Sequence, residues 1–139
     1  MFTALHSPPE DAHALEVEAL VDPSLTFVSL RRDGELLGVG ALKVYGDRLG
    51  ELKSMHTVHA ARGQGVASAI VEHLLGLARD RGLTTVNIET GSMGAFAPAR
   101  ALYCRYGFVE CGPFADYLPS RFSTFLTLSL DTGLSGRPG

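Results

Sequence analysis

ELKSMHTVHAARGQGVASAIVEHLLGLARDRGLTTVNIET, residues 51–90, decides the fold. Its opening, residues 51–58, sets Leu52, Met55 and Val58 among polar neighbours and reads as a strand. From Val66 the residues Ala67, Ile70, Val71, Leu74, Leu75 and Ala78 recur at helical spacing as far as Gly82, which stops the helix. TTVNIET is short and β-branched, which predicts a second buried strand. A strand, a helix and a strand in that order form a right-handed parallel crossover. The chain is therefore expected to be an α/β protein with a mixed sheet.

Between the first strand and the helix lies HAARGQG. Gly63 and Gly65 are free to take backbone angles at which successive N–H groups converge on one point. The helix that follows adds unpaired N–H groups and the positive end of its dipole, worth about 0.3 to 1 kcal/mol to an anion. Arg62 adds a full charge, and Ala67 and Ser68 leave room for close approach. The loop reads as a phosphate cradle at the carboxyl edge of the sheet, or as a tight turn whose glycines serve geometry alone. It lacks the Lys-Ser/Thr pair of the nucleotide-hydrolase loop, since Val66 and Ala67 follow Gly65. It also lacks the third glycine of the dinucleotide fingerprint, where Ser68 stands.

Outward from this core, LTFVSLRRDGELLGVGALKVYG reads as a hairpin closed by Asp33-Gly34, a pair that favours a type I′ turn. PEDAHALEVEAL, residues 9–20, reads as a helix opened by proline and two acids. PARALYCRYGF supplies another helix that stops at Gly107, and FVECGPF and STFLTLSL read as final strands. Residues 131–139 are expected to be a flexible tail. Those late strands offer an edge through which two subunits could pair as a homodimer.

The 139 residues suit one domain. Hydrophobic residues make up 45% and charged residues 19%, an ordinary globular balance. A formal charge of -3 without any Lys/Arg run argues against a nucleic-acid surface and suits a cationic partner such as an amine. No apolar stretch approaches the roughly 18 residues of a membrane span, and MFTALHSPPED lacks the marks of a signal peptide, so a cytoplasmic location is expected. Cys104 and Cys111 then read as free thiols. His56 and His59 lie three apart without a nearby third ligand, so no metal is expected.

R62-G63-Q64-G65-V66-A67 resembles the Gln/Arg-x-x-Gly-x-Gly/Ala segment of the GCN5-related N-acetyltransferase (GNAT) family. The likeness extends over the strand before it, the helix after it, VNIETG and the LY...GF helix. ELKSMHT, IETG, FAPARALY and CGPFADY look like a bacterial branch of small acetyltransferases. The resemblance implies a GNAT-like acyl-CoA N-acyltransferase fold. Its mixed, partly splayed sheet is flanked by helices and opens between the strand ending at Val58 and the one over residues 86–90. The family's opening strand is missing here or reduced to a stub in MFTALH, within a single domain over residues 1–130.

The resemblance also implies an N-acetyltransferase that moves an acetyl group from acetyl-CoA to a primary amine of a small molecule, amino acid or peptide. The alternative is a module of the same fold that binds acyl-CoA without turning it over. Backbone groups at Met55, Thr57 and Val58 would follow the acetyl and pantetheine arm. Arg62, Gly63, Gln64, Gly65, Val66, Ala67 and Ser68 would receive the pyrophosphate. Tyr103 would protonate the departing thiolate, and Glu51 would take the amine proton, directly or through water. A backbone N–H, that of Val58, would polarise the thioester carbonyl. Asn87 and Glu89 would line the acceptor pocket. Phe96 stands where many members carry an asparagine.

Overall fold

The structure, a computed structural model, describes residues 2–4, 16–21, 24–46 and 48–130. Within them eight strands form one sheet: β1 (Phe2–Ala4), β2 (Glu16–Val21), β3 (Leu25–Arg32), β4 (Glu35–Tyr45), β5 (Leu49–Thr57), β6 (Thr85–Gly91), β7 (Val109–Cys111) and β8 (Ser123–Ser129). Their spatial order is β1-β2-β3-β4-β5-β6-β8-β7. Only β5 and β6 run parallel, joined by the crossover helix α1 (Val66–Asp80). A second helix, α2 (Ala97–Arg105), connects β6 to β7. The expected tail, residues 131–139, lies outside the described residues.

The β3–β4 hairpin forms as its turn residues require: Asp33 and Gly34 sit at φ 53° and 80°, the pair of positive values that defines a type I′ turn. The helix read over residues 9–20 is corrected. Residues 16–21 are the strand β2, paired antiparallel with β3 from Glu16↔Arg31 to Val21↔Thr26. The alternation Glu16, Val17, Glu18, Ala19 has the period of a strand, and pairing with β3 decides between the two readings. Residues 5–15 lie outside the described residues. Phe2–Ala4 pairs with β2, so MFTALH contributes a short opening strand.

Helix α1 buries Val66, Ile70, Val71, Leu74, Leu75 and Ala78. Burial of each larger aliphatic side chain contributes about 1.5 to 3 kcal/mol, which this 15-residue helix needs because isolated helices of that length are marginal. It approaches β4 closely because Gly38 and Gly40 face it. A methyl group at Gly38 would lie 2.8 Å from Val66 Cγ1, and one at Gly40 would lie 2.6 Å from Ile70 Cγ2.

What opens the sheet is a difference in residue count. Pairing between β4 and β5 steps from Val39↔His56 to Ala41↔Lys53, so β5 carries one residue more than β4. The bulge falls at Ser54, held at φ 57°. Parallel pairing of β5 with β6 runs from Leu49↔Thr85 to Leu52↔Ile88 and ends there, directly before the bulge. Beyond it the strands separate, as the resemblance implied.

Candidate active site

The end of β5 with Val39 of β4, the loop after β5, the first turns of α1 and the face of α2 enclose a cleft of about 640 Å³. Its walls include Met55, Thr57, Arg62, Gly63, Gly65, Val66, Ala67 and Ser68, eight of the ten positions expected to meet the donor. A smaller cavity of about 330 Å³ adjoins it, sharing Met55, Phe96, Ala99 and Tyr103 with the larger one. Glu89 lines this second space.

The loop is built to leave donors open. Gly63 and Gly65 stand at φ 77° and 81°, and an added Cβ at either would meet nothing within 4 Å. These glycines are therefore required by backbone conformation and not by crowding. Gly65 caps α1 with no side-chain hydrogen bond, and the first helical bond is Ala69 N–H to the Gly65 carbonyl, at 3.0 Å. Among the described residues, the amides of Gly63, Gln64, Gly65, Val66, Ala67 and Ser68 have no protein acceptor. No acidic residue occupies the first turn. Six neighbouring amides, a helix N-terminus and Arg62 are the donors and the charge that an anion such as a diphosphate requires.

Of the ten expected positions, Gln64 and Val58 line neither cavity; the Gln64 amide stays among the open donors, and only the polarising part expected of the Val58 N–H is corrected. The Gln64 side chain donates to the Ala60 carbonyl at 3.2 Å and accepts from Arg32 at 3.4 Å, bracing the loop from outside. The Val58 N–H donates to the Leu37 carbonyl at 2.9 Å. That amide is spent on β4 and cannot polarise a thioester. Because amides alternate across an antiparallel ladder, the neighbouring Thr57, paired with Gly38, turns its N–H away from β4 toward the opening.

Tyr103, on α2, is 4% exposed and lines both cavities. Its ring packs edge-on against Phe108, with centroids 5.9 Å apart. Its hydroxyl has no hydrogen-bond partner among the described residues, and burial pushes its pKa up to about 12. It is thus a neutral O–H donor at the junction of the two spaces.

Glu51 departs from the usual solvated carboxylate at a strand start, being 1% exposed. Tyr45 donates to Oε1 at 2.5 Å and Tyr117 to Oε2 at 2.7 Å, while Lys53 Nζ lies 3.8 Å from Oε2. It lines neither cavity, so the structure does not bring it into the same space as Tyr103. Asn87, 8% exposed, also lies outside both cavities and accepts from Thr127 at 2.5 Å. Glu89 accepts from Ser123 at 2.5 Å.

Sequence reasoning missed Arg105 and Pro98 in the main cleft, and Tyr45 and Tyr117 around Glu51. Tyr45 was within reach of the hairpin register, which puts Lys43 opposite Glu51 and Tyr45 opposite Leu49. Phe96, noted only as a departure from the family pattern, lines both cavities. His56 also lines the main cleft, whereas His59 begins a single helical turn beyond the strand. Cys104 and Cys111 are free thiols. Among the described residues, no helix is long and apolar enough to cross a membrane.

Residues 2–108 match the sequence pattern of the Acetyltransferase (GNAT) family. Over 124 residues the chain is 46% identical to the uncharacterized N-acetyltransferase YedL of Escherichia coli (strain K12), covering 89% of this chain and 78% of that protein. Over 126 residues it is 46% identical to the uncharacterized N-acetyltransferase YsnE of Bacillus subtilis (strain 168), covering 91% of this chain and 83% of that protein. The fold matches the crystal structure of a Bacillus subtilis acetyltransferase in complex with CoA at a TM-score of 0.70 and 16% identity, over 84% of this chain and 99% of that one. Splayed strands, a helix start with open amides and sequence agreement over most of the chain lead to one assignment: this chain belongs to the acetyltransferase (GNAT) family and is an acetyltransferase.

Proposed function

We propose that the chain transfers an acetyl group from acetyl-CoA to a primary amine of a small molecule, amino acid or peptide, by direct attack of the amine. The observation that carries this reading is the row of unpartnered amides over residues 63–68, set on a cleft of about 640 Å³ with Arg62 beside it. Acetyl-CoA supplies the activated thioester. The loop amides and Arg62 receive its pyrophosphate, at roughly 1.5 to 3 kcal/mol for each charge-assisted hydrogen bond.

A lysine-like amine has a reference pKa near 10.4, so presenting it neutral at pH 7 costs about 4.6 kcal/mol. A carboxylate on the acceptor side offsets that cost, and Glu51 is assigned this part. Thr57 replaces Val58 as the amide aimed at the thioester oxygen; donors of this kind are worth about 2.7 to 4 kcal/mol in a transition state. Tyr103 then gives its proton to the departing thiolate. Its raised pKa keeps the hydroxyl protonated at neutral pH, as that part requires.

The test is release of free thiol from acetyl-CoA against a panel of amines, amino acids and peptides, alongside melting curves. At 100 times its Kd, acetyl-CoA stabilises the protein by about 2.7 kcal/mol. Stabilisation without thiol release from any acceptor would replace this reading with that of a module that binds acyl-CoA and does not turn it over.

A further inference from the structure

Glu51 is the one buried charged side chain among the described residues, and it lines neither cavity. At 1% exposure it is closed to direct contact with an acceptor, and each oxygen accepts a phenol hydroxyl, Tyr45 on one and Tyr117 on the other. Both tyrosines are half-buried, so they stand between the carboxylate and solvent.

Neither tyrosine lines a cavity, and of the two it is Tyr117 that connects to the smaller one, through Phe125. It lies in the irregular segment 112–122, with its ring centroid 5.7 Å from that of Phe125. Phe125 pairs across the sheet with Glu89, which lines the cavity shared with Tyr103. The Tyr117 oxygen already accepts from a primary ammonium, Lys53 Nζ at 3.3 Å. That ammonium also lies 5.7 Å from the centroid of the Tyr117 ring and 3.8 Å from Glu51. An oxygen acceptor, an aromatic face and a carboxylate behind them are what an alkylammonium ion requires.

We propose that Tyr117 meets the acceptor ammonium and passes its proton to Glu51. The proposal rests on the acetyl-transfer reading given above. In the step, an N–H bond of the ammonium breaks and its proton goes to Tyr117 Oη, while the Tyr117 O–H proton goes to Glu51 Oε2. The amine keeps the electron pair it needs to attack the thioester carbon. Tyr117 ends as a neutral phenol and Glu51 as a carboxylic acid, which returns its proton to solvent by the same route after the product leaves. Burial, and then the hydrogen bond to Glu51, hold the Tyr117 hydroxyl well above its ordinary pKa, as a relay that never rests as phenolate requires. Lys53, a like charge at the same place, disfavours a second ammonium and so drives an arriving amine toward its neutral form.

The charged and titratable groups around the relay are Lys43 and Tyr45 from β4, Lys53 from β5, Glu89 from β6 and Asp116 from the segment of Tyr117 itself. The test compares Tyr117→Phe, Glu51→Gln and the double variant for kcat/KM over pH, acetyl-CoA affinity and melting temperature. Each single variant should lose about 10²-fold in kcat/KM with acetyl-CoA affinity retained, and the double variant should lose no more than the worse single one. The pH profile of kcat/KM should change in the same way in both single variants. Phe114→Leu, which loosens the same segment at its ring contacts with Tyr117 and Phe125, should lose less than tenfold and keep the wild-type pH profile. Wild-type turnover in Tyr117→Phe, losses that multiply in the double variant, or a wild-type pH profile in Tyr117→Phe would each overturn the relay. Failure of the underlying reading would look different, as a wild-type protein that acetylates no amine.

Discussion

The loop over residues 63–68 and the surroundings of Glu51 treat hydrogen bonding in opposite ways. In the loop, six amides in succession have no protein acceptor, and Arg62 stands beside them. Around Glu51, both carboxylate oxygens are bonded, and Asn87 and Glu89 on the neighbouring strand have each found a hydroxyl donor. Open donors at a helix start are free to meet a ligand, whereas a buried carboxylate held by two phenols reaches its surroundings through them. On the readings proposed above, the first region serves a ligand and the second a proton. Tyr103, with no partner for its hydroxyl, belongs with the loop although it is as buried as much of the core.

The largest expected effect tests that placement. Tyr103→Phe should lower kcat about 10²-fold or more while leaving acetyl-CoA affinity in place, as read from steady-state rates and calorimetry. Unchanged turnover would return Tyr103 to a packing role. Next comes Arg62→Ala, which should weaken acetyl-CoA binding by about 1.5 to 3 kcal/mol, roughly ten- to a hundredfold, with a shallower dependence of affinity on salt. A loss of kcat with unchanged affinity would break the contrast from the loop side.

Gly40→Ala should cost about 1 to 3 kcal/mol of stability in chemical denaturation, because its methyl group meets Ile70 and Met55 where α1 lies against β4. Alkaline pH gives a further measure. The Tyr103 pKa rises from 10.0 in the unfolded chain to about 12 in the fold, so its contribution to stability is complete below pH 10 and is lost as pH rises toward 12. The melting temperature should therefore fall over that window, and Tyr103→Phe should flatten the fall. Gln64→Ala should do least, within about 0.5 kcal/mol in stability and without loss of acetyl-CoA affinity, since its side chain braces the loop from outside.

How much of this was legible in the residues depends on how local the cause is. The β3–β4 turn, the helix from Val66 to the stop near Gly82 and the parallel crossover follow from neighbours a few positions apart, and they stand as read. The strand at Glu16–Val21 was misread because its charged and apolar residues fit a helix opening almost as well, and only pairing with β3 chooses between them. The loop glycines pointed to the left-handed backbone found at residues 63 and 65 because conformational freedom is a property of the residue itself. The amide of Val58 was misassigned because its partner, the Leu37 carbonyl, lies on another strand. The burial of Glu51 is likewise long-range. Tyr117 reaches it from 66 positions away, out of a segment with no periodicity to follow, although CGPFADY had already stood out as a string.

The extra residue at Ser54 has one more consequence. Since the gap beside β6 comes from a mismatch in count along β4 and β5, it is written into the length of the chain and not into the chemistry of any side chain. Point substitutions can reshape the gap or strain it. To zip it shut, or to cut such an opening into a sealed sheet, takes an in-frame deletion or insertion of a single codon.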